Sequence, residues 1–291
     1  MNETNQSTIL SIQNAKNRLM GRNPLRRLTL NLSAQLGLLG VVDRVYLDKF
    51  PYPHYAYGVF VACLQARMFG LARTTVIEFG VAGGNGLVAL ETAAQEIGRT
   101  LSIEVNAIGV DCGNSGMPES KDFRDMIYWF RPGSFRMDEA KLRARLGSAR
   151  LIVGNVEDTI PNLLKDLRGP IGFCSFDMDY FSSTASALRI FDAEEATRMP
   201  RVIIYADDVF GYHDLNIMCD EVGEEYAFLE FNRDHPLKHI LPIRGLKYKR
   251  PRPAAWNEKM YALHDFSHSK YNDCVNPAES DETTQLHALR V

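Results

Sequence analysis

Thr75-Val76-Ile77-Glu78-Phe79-Gly80-Val81-Ala82-Gly83-Gly84-Asn85-Gly86 decides the fold. Val76, Ile77 and Phe79 form the short apolar run of a parallel strand covered on both faces. Gly80 permits a sharp turn. Gly83, Gly84 and Gly86 keep side chains away, so a ligand can approach the backbone. Leu87, Leu90, Ala94 and Ile97 then recur at helical spacing. Strand, glycine turn and helix in succession is how α/β proteins hold nucleotide-like cofactors. Glu78, in the strand end, would repel a pyrophosphate and suits a cationic or hydroxyl-rich cofactor.

Working outward, the same alternation repeats. Strands are predicted over 105–111, 150–154, 171–179 and 201–208, with helices over 86–97, 138–146, 158–167 and 183–196 between them. Asp158 or Thr159 is the expected cap of the third helix, with Pro161 in its first turn. Strands alternating with helices imply a mostly parallel, doubly wound sheet. Before the first strand, residues 57–71 read as a buried helix and 28–42 as a short one. The proline- and aromatic-rich stretch from Asp48 to Tyr57 reads as a non-helical loop, either a lid over a cofactor or an apolar plug. Beyond Asp208 a helix is expected over 217–231, then closing strands at 239–243 and 246–248, with a hairpin around Arg244-Gly245. Lys249-Arg250-Pro251-Arg252-Pro253 looks like a domain boundary. The expected organisation is an arm over 1–47, a main domain over 48–250 and an extension over 251–291.

Acids end the strands: Asp111, then Asp177 with Asp179, then Asp207 with Asp208. In an open parallel sheet ligands bind outside the carboxyl ends of the strands, so these acids face one crevice. Carboxylates gathered there repel one another, and a hard divalent cation such as magnesium, calcium or manganese resolves the repulsion. A single strand-end acid would read as a solvated group or a helix cap. Three ending neighbouring strands favour the metal. Asp111 is also placed to accept hydrogen bonds from ribose hydroxyls.

The 291 residues are 45% apolar and 24% charged, as in an ordinary globular protein. A formal charge of −3 offers no nucleic-acid footprint, and Arg22, Arg26 and Arg27 read as a solvated surface. Five scattered cysteines argue against a disulfide framework and a zinc site and for a reducing, cytoplasmic setting. No run of about eighteen apolar residues suggests a membrane span. Homo-oligomerisation is compatible with the sequence.

The blocks carrying the site resemble a known family. Glu78-Phe79-Gly80-Val81-Ala82-Gly83-Gly84 is similar to the first motif of class I S-adenosylmethionine-dependent methyltransferases, in the "E-x-G-V-x-x-G-G" form of the macrocin O-methyltransferase family. Asp111 through Gly116-Met117-Pro118 is similar to that family's "D-S-F-x-G-L-P". Gly154-Asn155-Val156-Glu157-Asp158-Thr159-Ile160-Pro161 is similar to its "G-x-x-x-D-T-L-P". Asp177-Met178-Asp179-Tyr180-Phe181-Ser182-Ser183-Thr184 and Asp207-Asp208 are similar to its "D-x-D-L-Y-x-S-T" and "D-D-Y". Together they cover roughly residues 70–210.

The resemblance implies a seven-stranded Rossmann-like sheet and roles for single residues. Gly80, Val81, Ala82, Gly83 and Gly84 would pass under the methionine part of S-adenosylmethionine, with Glu78 nearby. Asp111 would hold the ribose, and Asn155 and Val156 would lie near the adenine. Asp177, Asp207 and Asp208 would bind Mg2+, and Asp177 would also act as general base on a hydroxyl acceptor, a sugar or small secondary metabolite. His213 reads as a second base, a pocket wall or an ordinary loop histidine. His264 and His268, at i and i+4, could share a helix face. The sequence departs from the family at Met199-Pro200-Arg201, where Gly-Gly is usual, and at Val209, where Tyr is favoured. Two other readings stand beside this one: a methyltransferase-fold binding protein without turnover, and a nicotinamide-dependent oxidoreductase. For the latter, Gly84-Asn85-Gly86-Leu87-Val88-Ala89 matches GxGxxA, but four residues too late after the strand.

Overall fold

The computed structural model describes residues 38–275. The basic cluster at Arg22, Arg26 and Arg27 lies outside them, as does most of the helix expected over 28–42. The strands are β1 (Arg73–Phe79), β2 (Glu104–Asp111), β3 (Arg150–Val153), β4 (Ile171–Phe176), β5 (Arg198–Ala206), β6 (Lys238–Pro242) and β7 (Met260–Asp265). They form one seven-stranded sheet in the order β3-β2-β1-β4-β5-β7-β6. The first five are parallel, and β7 runs antiparallel between β5 and β6. This is the doubly wound, mostly parallel, Rossmann-like seven-stranded sheet that the sequence leads one to expect.

Helices cover both faces. α1 (Val41–Tyr46), α2 (Pro53–Met68), α3 (Asn85–Leu101) and α4 (Glu139–Arg145) lie on one side; α5 (Val156–Lys165), α6 (Phe181–Leu188) and α7 (Gly223–Asp234) lie on the other. Alternation along β1 serves the two layers. Val76 packs under α2 and α3, while Ile77 and Phe79 face the opposite layer, where the Phe79 and Phe176 rings stack at 5.2 Å. Each such buried side chain contributes about 1.5–3 kcal/mol.

Several expectations shift. Pro53 opens α2 at its first position, where a missing N–H costs nothing. The aromatic stretch is therefore partly helical, and Tyr55, 2% exposed, makes it a plug. α5 starts earlier than expected, capped by Asn155, whose side chain accepts from the Glu157 amide at 3.0 Å. That places Pro161 in the second turn, where it removes a helical hydrogen bond. The last helix starts only at Gly223, whose φ is +61°. Pro200 lies within β5, and the β4 pairing jumps from Arg198 to Ile203 there, so the missing donor falls where no ladder bond is required.

The C-terminal part departs furthest. β6 pairs with β7, and residues 246–249 form a short 3-10 turn rather than a strand. Because β7 sits inside the sheet, residues 260–265 belong to the main domain, and a boundary at 250 divides it. His264 lies on β7 with His268 in the following turn, so they share no helix face.

Candidate active site

The ends of β1, β2, β3, β4 and β5 are aligned by backbone hydrogen bonds that continue the ladders. Gly80 N donates to Val110 O, Gly154 N to Asp111 O, Asp177 N to Phe79 O and Asp207 N to Phe176 O, each at 2.9 Å. Residues just past the strands therefore converge on one crevice. It contains a cavity of about 740 Å³ lined by Gly80, Ala82, Asp111, Asn155, Val156 and Asp177, among others. That volume lies within the range of small-molecule sites.

The glycine turn is braced from below. Asp111 accepts the Val81 and Ala82 amides on Oδ2, both at 2.8 Å, and the Gly113 amide on Oδ1 at 2.6 Å. A carboxylate accepts about four hydrogen bonds, so Asp111 shapes the turn and keeps acceptor capacity toward the cavity. Gly80, with φ +82°, passes so close to β4 that a Cβ there would stand 1.8 Å from the Asp177 carbonyl. Gly83 and Gly84 do not line the cavity. Gly84 faces Leu142, and Gly83 faces open space.

Glu78 is 2% exposed. Its Oε1 accepts from the Tyr55 hydroxyl at 2.7 Å, and that hydroxyl accepts from Ser175 Oγ at 3.0 Å. Oε2 is buried without a partner. Burial, with the charges of Asp177 and Asp111, pushes the carboxyl well above its usual range, against the Tyr55 hydrogen bond.

At the other end of the crevice, one ligand atom from each of Asp177, Asp207 and Asp208 lies within 4.8 Å of the others. Asp177 opens onto the cavity but is ringed by protein. That setting, then Asp208 and Asp207, holds its carboxyl well above the ordinary value. Burial and the Asp207 charge move Asp208 up to about 6. Asp179 joins them in a left-handed backbone conformation, φ +61°, and burial plus the Asp208, Asp177 and Asp207 charges move it up to about 9. Asp208 Oδ2 is buried with no hydrogen-bond partner. An all-oxygen set with an orphaned acceptor and mutual repulsion fits a hard divalent cation.

Two further residues frame the acids, and neither carried a signal in the sequence. Glu224, fully buried in the first turn of α7, accepts the Met178 amide at 3.0 Å and the Asp208 amide at 3.1 Å. It ties the loop after β4 to the loop after β5. Lys259, immediately before β7, has no exposed side-chain surface and places Nζ 3.0 Å from Asp207 Oδ1. It became visible only once β7 was found between β5 and β6. His213, by contrast, is exposed and outside the cavity lining. Its ring lies against Trp129 at 5.4 Å, and Nδ1 accepts the Leu215 amide.

No protein-family model and no curated protein matches the chain. Among solved structures it is similar in fold to the O-methyltransferase NovP (13% identity, 73% of this chain and 79% of that one, TM-score 0.48). It is also similar to the calicheamicin methyltransferase CalS11 (16% identity, 87% and 91%, TM-score 0.46). A third is the MycE methyltransferase from the mycinamycin pathway, solved with Mg and SAH (12% identity, 86% and 59%, TM-score 0.37). Identities and scores this low carry no residue roles across. Among the described residues no helix is long and apolar enough to cross a membrane.

Proposed function

We propose that this protein is an S-adenosylmethionine-dependent O-methyltransferase that uses a hard divalent cation such as Mg2+ and acts on a hydroxyl of a sugar or small secondary metabolite. One observation carries the reading: the cavity that starts at the braced glycine turn and Asn155 ends at Asp177, a member of the three-carboxylate group. A cofactor end and an acid end thus share one space.

The residues fit the cofactor. Gly80 lets the chain turn without a side chain in the crevice, Asp111 holds the turn and would face the ribose, and Asn155 and Val156, which line the same cavity, would wall the adenine end. Bound S-adenosylmethionine supplies an electrophilic methyl on a sulfonium. Asp177, Asp207 and Asp208 would hold the cation, which supplies Lewis acidity toward the acceptor oxygen. Asp177, which lines the cavity, would accept the proton of the acceptor hydroxyl as general base. Phe79 and Phe176, fully buried at the ends of β1 and β4, back the strand ends that carry Gly80 and Asp177.

The test is calorimetry with S-adenosylmethionine, S-adenosylhomocysteine and NAD, with and without magnesium, beside a methyl-transfer screen over hydroxyl acceptors. The reading expects micromolar binding of the first two, lost in Asp111→Ala, and turnover lost with a chelator. Preference for NAD would replace it with the oxidoreductase. Tight cofactor binding without transfer to any acceptor would leave a binding protein.

A further inference from the structure

The acidic cluster contains a positive charge of its own. Lys259 sits at the turn into β7, on the strand inserted between β5 and β6, so its backbone is fixed beside Tyr205 and Asp207. Ala206 N donates to Lys259 O at 3.0 Å and locks the two segments together. The side chain is completely buried. Its ammonium donates to the Asp207 carbonyl and, at 3.0 Å, to Asp207 Oδ1. The rings of Tyr212 and Phe210 close over it, their centroids 4.3 and 4.8 Å from Nζ.

Asp207 Oδ1 is doubly engaged, because the Tyr205 hydroxyl also donates to it at 2.5 Å. Tyr205 is itself held by the His54 ring, stacked at 4.1 Å. The oxygen that Asp207 can turn toward Asp177 and Asp208 is therefore Oδ2. A lysine confined by aromatic rings beside three acids cannot swing away when a metal arrives, unlike a surface lysine.

We propose that Lys259 is the fixed counter-charge of this cluster, limiting Asp207 to one donor oxygen and setting the affinity for a divalent cation below that of three free carboxylates. This inference rests on the metal reading above. Lys259 is a positioning residue, since it touches Asp207 and lies outside the cavity lining. Its effect is on how tightly a cation is held, which governs whether the ion can exchange.

The test is Mn2+ binding followed by the electron paramagnetic resonance of the free ion, on the full chain without acceptor. Lys259→Met keeps the length and apolar stem but removes the charge. A unit charge a few ångströms from a divalent ion is worth at least about tenfold in affinity even at water-like screening. Mn2+ should therefore bind about tenfold or more tighter to Lys259→Met than to wild type, and within about threefold of wild type to Lys259→Arg, which keeps the charge. Tyr205→Phe frees Oδ1 from one donor without changing charge, and it should shift affinity far less than Lys259→Met. S-adenosylhomocysteine affinity reports the fold of each variant. Should Lys259→Met not fold, Lys259→Gln carries the same expectation. Equal or weaker Mn2+ binding by the uncharged variants, with wild type binding, overturns the inference and leaves the metal reading standing. No Mn2+ binding by any of these proteins overturns both.

Discussion

Gly80 and Gly83 stand three residues apart in the same turn and should answer an added methyl in opposite ways. At Gly80 the backbone has φ +82°, where alanine costs about 1–2 kcal/mol. The new Cβ would also fall 1.8 Å from the Asp177 carbonyl oxygen and 2.7 Å from its carbon, both backbone atoms of a neighbouring strand end. Neither can rotate away, so β1 and β4 must part by about 1.5 Å to restore ordinary contact. Overpacking of that kind costs about 1–3 kcal/mol more. Gly80→Ala should therefore lose about 2–5 kcal/mol of stability. A misplacement beyond about 1 Å at the reacting end also costs on the order of a hundredfold in turnover. Gly83 has no positive φ, and a Cβ there meets nothing within 4 Å. Gly83→Ala should leave the urea midpoint and the S-adenosylhomocysteine affinity of the wild type almost unchanged. Urea unfolding followed by fluorescence, with calorimetry on the same samples, reads both effects. Equal stability for the two variants would refute the close approach of the turn to Asp177. A loss of cofactor affinity in Gly83→Ala alone would show that the cofactor lies against Gly83, contrary to the cavity described above.

Glu224→Ala leaves the Met178 and Asp208 amides without an acceptor, at about 1–3 kcal/mol each. Removing a buried acid whose charged form is opposed by burial and by Asp208 offsets part of this, and about 2 kcal/mol of net destabilisation is expected, with weaker Mn2+ binding; unchanged values for both would sink the clamp. Glu91 accepts the Gly147 and Ala149 amides and the Ser148 hydroxyl, and also the Ser148 amide. Burial raises its carboxyl, but these hydrogen bonds win and hold it below its usual value. Its contribution is present above the unfolded-state value and fades as pH falls through the depressed folded value. Glu91→Gln should cost about 2 kcal/mol at pH 7, and the gap to wild type should narrow as pH falls through the depressed value of the folded state; a gap constant with pH would contradict the ionised clasp. Asp177→Asn should slow transfer by at least about a hundredfold while leaving S-adenosylhomocysteine binding within a few fold, and comparable turnover would remove Asp177 as the base.

The parallel half of the fold was legible because its signals are local. Val76, Ile77 and Phe79 in β1 and the run Ile203–Ala206 in β5 are buried on both faces, and each strand is followed by a residue type that belongs outside a sheet, Gly80 and Asp207. The acids of the site followed from the same rule, since strand ends of a parallel sheet point one way. The antiparallel end was not legible in the same way. Met260–Asp265 reads Met-Tyr-Ala-Leu-His-Asp, neither a clean alternation nor a continuous apolar run, and its meaning depends on β5 and β6, far away in sequence. Lys259 and Glu224 were hidden for the same reason: a buried charge reads as a surface charge until its partner is in place. His213 stood close to Asp207-Asp208 in sequence, yet the loop carries it to Trp129. Proximity along a loop says little about direction in space. Asp111 was read as a cofactor contact, and its bonds to Val81 and Ala82 became apparent only with the turn folded.

The place of β7 also sets an order of assembly. On the ribosome, the cofactor half of the crevice, all of it encoded before residue 187, emerges long before Lys259. Until residues 260–265 arrive, β5 is an uncovered edge and β6 has no neighbour. A nascent chain in that interval leaves one backbone edge of β5 unpaired, the kind of edge that recruits other chains. A message cut short near codon 255 would yield a product that carries every acid of the site, lacks the charge that tempers them, and presents a sticky border to its neighbours. Quality control of this protein would turn on its last strand.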